Sequence, residues 1–404
     1  MSAGYLRASD GAKPFEYISA APAGALSASG DDMAHFMIAH LQDGRYRETR
    51  ILRPETAQLM HSRQYTGDLA LNGIAMSFFE ESRNGHHIIG HGGDTIYFHS
   101  HLHLILDSNV GLFVSFNSAG RGDFNQREAL WDQFLDRYFP YQPPAIPSIA
   151  TASADARTIT GSYIPSRRGE TNFLKIGALF GEATVTTKPD GTVAIEVIKG
   201  LNGRPKQWHE IGPLVYQEVD GQQRIAFKRD TTGRPLIVTD LAPFAFQRVS
   251  WNESQSFLEK SFFGAGIIFL LTLLLWPAGA LIRSHYGRSL TLGRPERRLR
   301  LLVRLTCALN FVVIVGSLVL FSMSADNLLT FLSSRMVPFF WLLELASFIG
   351  ALATIIVFYQ FCKSWATTGR WIWAKIADTV ILLACLAFVW LVWVGHLANF
   401  NLRY

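Results

Sequence analysis

The sequence predicts an α+β region with an antiparallel sheet, then a small all-β barrel or sandwich, then a bundle of four transmembrane helices. Three observations carry this. Four apolar runs fill the C-terminal third, each reaching the roughly 20 residues that a helix needs to cross hydrocarbon. Short strand-like stretches between turn signals fill residues 157–250. Ahead of them, helical and strand periodicities alternate.

The apolar runs cover residues 262–282, 301–323, 337–361 and 377–397. One such run fits a buried core helix, but four in series with short polar joints are spans. Orientation follows from the joints, because Lys and Arg stay on the cytoplasmic side. Between Arg283 and Arg304 seven arginines face one acid, Glu296. The third joint holds Lys363, Arg370 and Lys375 without an acid, whereas the second, Asp326 to Arg335, balances one acid with one base. Joints one and three therefore face the cytoplasm, and residues 1–255 face the other side. Met1 to Tyr17 has no apolar core and no secretory cleavage site, so an upstream segment carrying the signal is expected.

The net charge of +5 is concentrated in the first joint, where it is a topology signal, so no nucleic-acid partner is expected. All three cysteines, Cys307, Cys362 and Cys385, fall in the apolar segments. That excludes a disulfide framework, a thiolate zinc site and a cysteine nucleophile from residues 1–255. Glu344 lies in the third run, and an intramembrane carboxylate is a functional candidate. Its plainer role is a protonated or interhelically bonded packing residue. Pro277 and Pro338 lie near helix ends, and no matched pair of broken segments marks a transporter.

In residues 1–140, Ser29-Gly-Asp-Asp-Met33 opens a helix through Gln42, capped by Ser29 or Asp31, with Met33, Phe36, Met37 and Leu41 at helical spacing. Pro54 starts another through Met60, where its missing N–H costs nothing. Strands follow at 88–90, 99–106 and 111–117, the last two joined by the turn Asp107-Ser-Asn109. An amphipathic helix over 125–139 closes the piece, and a Pro-rich linker, 141–156, leads to residues 157–250. There the turns Lys188-Pro-Asp-Gly191, Asp220-Gly221 and Thr232-Gly233, and a strand start at Thr158 to Ile164, suit a barrel or sandwich of structural role.

Six of the twelve histidines lie between residues 86 and 103. His99, His101 and His103 alternate on one strand face, as metal ligands on a sheet do. Alternation also puts polar residues on a solvent face, and no neighbouring carboxylate completes a set, so no metal or cofactor is expected. Gly90-His91-Gly92-Gly93-Asp94 lies directly before the strand pair. Glycines beside a polar side chain let a ligand approach the backbone, and a histidine there donates to an oxyanion or carboxylate. His91 is therefore the catalytic candidate, and Gly92, Gly93 and Asp94 are the substrate-binding candidates.

The order Ala21 to Ala34, then Ile51-Leu-Arg-Pro-Glu-Thr-Ala57, then Gly90-His-Gly-Gly93, then Leu104 to Asn117 resembles serine hydrolases of the class C β-lactamase and penicillin-binding-protein group. The resemblance covers residues 4–140, part of that catalytic domain. It implies an α/β sandwich with a central antiparallel sheet, and acyl-enzyme hydrolysis of an amide or ester in a peptide, a peptidoglycan fragment or a small ester. His91-Gly92-Gly93 matches the family's third motif, Lys/His-x-Gly. His91 would orient the substrate and support proton transfer, and the adjoining strand would offer a backbone N–H to the oxyanion hole.

The first two motifs are absent. No serine has a lysine three places on, Tyr-x-Asn does not occur, and Tyr17-Ile-Ser19 has only a chance likeness to it. Both motifs are expected upstream of Met1, and this polypeptide alone is expected to be inactive. The chain is thus expected to be the C-terminal portion of a membrane-anchored hydrolase in the bacterial inner membrane, with residues 1–255 on the periplasmic side. Two alternatives stand beside it: a non-catalytic membrane-anchored binding or signalling protein, and a transporter-like bundle centred on Glu344.

Overall fold

A computed structural model describes residues 2–402 apart from 19, 20, 22, 121–124, 143, 144, 176, 178–180, 289–291, 327–330 and 332. Contacts divide the chain into two units, Met1–Arg167 with Ala183–Arg248, and Arg168–Glu182 with Val249–Tyr404.

In the first unit, α1 (Gly30–Leu41) starts at a reciprocal cap. The Ser29 hydroxyl accepts from the Asp32 N–H at 3.2 Å, and the Asp32 carboxylate accepts from the Ser29 N–H at 3.0 Å. A short hairpin of β1 (Arg45–Tyr46) and β2 (Thr49–Arg50) leads to α2 (Pro54–His61), which begins on its proline. Then come β3 (Phe79–Glu80), β4 (Ile88–Asp94), β5 (His99–Ile105), β6 (Val110–Phe116) and α3 (Gln126–Tyr138), the last capped by Asn125. The four strands β3 to β6 form one antiparallel sheet in chain order. The turn between β5 and β6 closes on Asn109 at φ 53°, a left-handed conformation that asparagine tolerates.

One expectation is corrected here. β4 continues to Asp94, so the His91-Gly-Gly motif lies inside a strand and not ahead of one. β3 is too short to follow it, pairing only with Ile89 and Gly90. The edge of β4 from His91 onward is therefore unpaired by β3.

Side chains alternate across the sheet. Ile89, Leu102 and Leu104 pack with Met37 of α1 and with Phe78, whereas Ile88 and Ile105 pack with Trp131 and Leu135 of α3. Each such burial contributes about 1.5–3 kcal/mol, so a helix holds each face.

Next come α4 (Ala152–Ile159) and eight strands, β7 (Gly161–Pro165), β8 (Ala183–Thr187), β9 (Val193–Lys199), β10 (Pro205–Gly212), β11 (Val215–Glu218), β12 (Arg224–Arg229), β13 (Pro235–Thr239) and β14 (Ala245–Arg248). Each pairs antiparallel with the next, and β14 returns to β7, closing a barrel. Tyr163, Trp208, Tyr216, Ile195 and Ile237 are buried within it, so the interior is a packed core. α4 occupies the end of the expected linker and takes Thr158 and Ile159, so the first strand starts at Gly161. Pro143 and Pro144 of that linker lie outside the described residues.

Asp240 ties the barrel to the sheet region. Its carboxylate accepts from the Asn72 N–H at 3.0 Å and from the Arg224 N–H at 2.5 Å. Burial pushes its pKa up to about 6 against those hydrogen bonds.

The second unit holds α5 (Gln255–His285), α6 (Arg294–Asp326), α7 (Val337–Ala366) and α8 (Ile372–Val394), each with a segment long and apolar enough to cross a membrane. The fourth begins earlier than its expected 377–397 and ends at Val394. The described residues of 168–182, expected within the β-rich domain, instead group with these helices. Phe173 meets Phe340 at 4.5 Å between ring centroids, and Asn401 donates to the Thr171 carbonyl at 3.2 Å. Glu344 is 1 % exposed; its carboxyl faces the Phe400 backbone without closing a hydrogen bond of ordinary geometry.

Gly90 shows how tightly the sheet is built. A Cβ there would sit 2.3 Å from Glu81 Oε2 and 2.7 Å from the Leu102 carbonyl oxygen. Since Leu102 is backbone, Gly90→Ala is expected to destabilise the first unit by about 1–3 kcal/mol, which thermal unfolding of the detergent-solubilised chain will detect. An unchanged transition would show that the sheet yields there.

Candidate functional site

The register of β4 on β5 divides the motif between two faces. Gly90, Gly92 and Asp94 stand opposite His103, His101 and His99, whereas His91 and Gly93 stand opposite Leu102 and Ser100. The four candidates from the motif are therefore adjacent in chain but not all on one side.

On the α1 side, His91 is exposed and stacks on Phe79 at 4.8 Å and 16°. Its imidazole has no hydrogen-bond partner among the described residues. It borders a broad open groove with Phe36, Phe79, Phe113 and Ser115. A Cβ on Gly93 would meet nothing within 4 Å, so the backbone there is open to a ligand. The nearby Ser100 and Ser115 hydroxyls bond each other at 2.8 Å. Neither has a lysine three places on.

On the α3 side, the polar side chains pair with one another, although His99 Nε2 and His103 Nε2 are buried without a partner. Glu81 Oε1 meets His101 Nε2 at 2.8 Å, and Glu81 Oε2 meets His103 Nδ1 at 2.7 Å. The His101 and His103 rings stack at 4.0 Å, and His103 lies 3.8 Å from Trp131 at 3°. Burial opposes the Glu81 charge, but hydrogen bonds from the two histidines outweigh it and hold the carboxyl at about 2. Burial pushes the His103 pKa down despite Glu81, so the pair is an ionised carboxylate receiving N–H from a neutral imidazole.

Asp94 belongs to this network. It meets His99 at 2.7 Å and Arg127 at 2.8 Å, and Arg127 also donates to the Ser100 carbonyl at 2.7 Å. Burial raises the Asp94 pKa, but His99 and Arg127 overcome that and leave it lowered. Its carboxylate is thus held by two partners, although half exposed.

The expectation that no carboxylate stands beside the histidines is overturned, since Glu81 bonds two of them. The same contact overturns the solvent-face expectation, because α3 covers that face and His103 is 2 % exposed. These three residues offer ligand atoms within 4.8 Å of one another. That spacing could surround one metal ion, which would have to replace both N–H protons on Glu81. As it stands, the cluster is a hydrogen-bonded anchor. Glu81 was hidden because β3 is too short to show a period; the available signal was the unusual Gly90 across from His103. His40 and His61 likewise leave no local signal of their contact. They bond at 3.0 Å in the core beside Phe78, and burial, then His61, pushes His40 down to about 4.

The sheet packed between helices, with a histidine on an open strand edge, makes the region ahead of the barrel an α+β one. Residues 2–135 match the family model described as Beta-lactamase, so this segment is Beta-lactamase-like. No curated protein matches the chain. Among solved structures, an octameric penicillin-binding protein homologue from Pyrococcus abyssi is 12 % identical, over 61 % of this chain and 52 % of that one, with a TM-score of 0.28. SurE with D-Leu is 15 % identical, over 55 % and 50 %, with a TM-score of 0.33. The chain thus spans about half the length of these proteins.

The Glu81 anchor makes the unit acid-sensitive with a definite sign. A carboxyl near 2 when folded and near its ordinary 4.5 when unfolded contributes its full stability above 4.5 and loses it as pH falls toward 2. Glu81→Gln is expected to lower stability by about 1–3 kcal/mol at pH 7, and to flatten the fall between pH 4.5 and 2. Denaturant titrations at stepped pH will measure both. An unchanged pH slope in the variant would assign the acid sensitivity elsewhere.

Proposed function

We propose that residues 2–135 are the substrate-orienting part of a β-lactamase-like serine hydrolase tethered by the C-terminal helices to a bacterial inner membrane. The observation that carries this is His91, exposed and unbonded on an open strand edge within a Beta-lactamase-like segment. An extended acyl donor would lie along the free edge from His91 to Asp94. There Gly93 admits its backbone, and His91 donates to its carboxylate or carbonyl oxygen.

Substrates of this chemistry are peptides, peptidoglycan fragments or small esters. The reaction is acyl transfer to a serine and then to water, and it needs a base beside that serine. This sequence holds neither Ser-x-x-Lys nor Tyr-x-Asn, so alone it orients a substrate without forming an acyl-enzyme. The seven arginines between Arg283 and Arg304 favour residues 1–255 on the periplasmic side.

A non-catalytic binding role is favoured by one observation. Ser100 and Ser115, the hydroxyls nearest the motif on its own face, bond each other and have no lysine three places on.

A fluorescent phosphonate that acylates active serines separates the two. The chain as given is expected to stay unlabelled, and a form extended upstream to include Ser-x-x-Lys is expected to label. In that extended form His91→Ala is expected to cut turnover by roughly a hundredfold. Labelling of neither form supports the binding role, and full turnover in the His91→Ala variant removes His91 from the reaction.

A further inference from the structure

Three arginines of the second unit lie near one another, and none makes an ion pair among the described residues. Arg283, near the end of α5, folds back along its helix until a guanidinium nitrogen lies 3.3 Å from where a Cβ on Gly279 would stand. Arg300 and Arg304 stand one turn apart on α6, and Arg304 lies 4.2 Å from the centre of the Trp276 ring. Arg300 and Arg283 act on the charge of Arg304; Arg370 and Arg283 act on that of Arg300, opposed there by Asp378 and Glu296.

Among the described residues no acid lies within 4.0 Å of Arg283, Arg300 or Arg304. The two acids in the neighbourhood are engaged: Asp378 with Arg370 at 2.5 Å and with Gln360 at 3.2 Å, and Glu296 with Lys363 at 3.7 Å. Three like charges, each half-buried, repel one another in a poorly screened place unless an anion joins them.

Aromatic residues show the depth at which this happens. Trp276 near the end of α5, Trp365 at the end of α7, and Trp371 and Trp373 at the start of α8 share one end of the bundle. A girdle of tryptophans marks the level of lipid headgroups. Beside the arginines, Leu275, Leu301 and Leu305 are 65 %, 46 % and 54 % exposed, an apolar surface suited to acyl chains.

We propose that Arg283, Arg300 and Arg304, with Trp276 behind Arg304, bind the phosphate of an anionic phospholipid. Guanidinium forks take phosphate oxygens in pairs, and the indole face holds Arg304 in place. Basic pockets between transmembrane helices bind anionic headgroups by this physics. The site lies in a different unit from His91 and stands or falls independently of the hydrolase proposal.

The test is native mass spectrometry of the full chain, released from detergent with phosphatidylglycerol or phosphatidylcholine. Phosphatidylglycerol is expected to remain bound in preference, and the Arg283→Gln, Arg300→Gln, Arg304→Gln triple variant to lose roughly a hundredfold in affinity. The matching triple Arg→Lys variant keeps charge and helix stability but loses the forks, and is expected to bind with intermediate strength. Arg294→Gln with Arg298→Gln, on the same joint, is expected to bind as the parent does. Equal retention of phosphatidylcholine, an equal loss in that control pair, or displacement of the lipid by millimolar inorganic phosphate would each overturn the proposal.

Discussion

The bond between Glu81 and two histidines of one strand decides how the first unit uses its sheet. A carboxylate this enclosed needs two donors. His101 and His103 supply them from alternate positions of β5, with Trp131 of α3 stacked on His103. Room for the carboxylate exists because Gly90 has no Cβ. Together these residues fasten β4, β5 and α3, and the α3 side of the motif strand is thereby spent on structure. The other side is left to His91.

That division explains why the motif residues are unequal. His91 and Gly93 face the groove, whereas the Asp94 carboxylate is held by His99 and Arg127. A substrate along the strand would find one side-chain donor and a run of backbone. Such a surface orients an acyl group but does not attack it, because attack needs a hydroxyl and a base together. The two hydroxyls on this face satisfy each other.

What was legible in the sequence follows the range of the forces involved. The membrane helices announce themselves through composition over twenty or more residues, and the start of α1 through Ser29 and Asp32 three places apart. The antiparallel pair of β5 and β6 shows in its turn. Contacts made between distant segments left no local trace. Glu81 meets partners some twenty residues on, and residues 168–182 leave the barrel's sequence to pack with the helices. β4 runs past its expected end at Gly90, because extended backbone accepts glycines when a neighbour, here Glu81 beside Gly90, needs the space. Motif order points to His91 and its glycines, but their division between two faces required the register.

The membrane unit obeys the same accounting of charge with a different result. Glu81 in the first unit has two donors, and Asp378 in the second has Arg370 and Gln360. Arg283, Arg300 and Arg304 have no such match among the described residues. Water can settle an unmatched charge at an exposed surface, but these three are half-buried at the level marked by Trp276 and Trp371. The loss of hydration there must be offset by a fixed anion, and at that depth the abundant fixed anion is the lipid phosphate. Arginines at the end of candidate membrane helices would then also grip a bilayer.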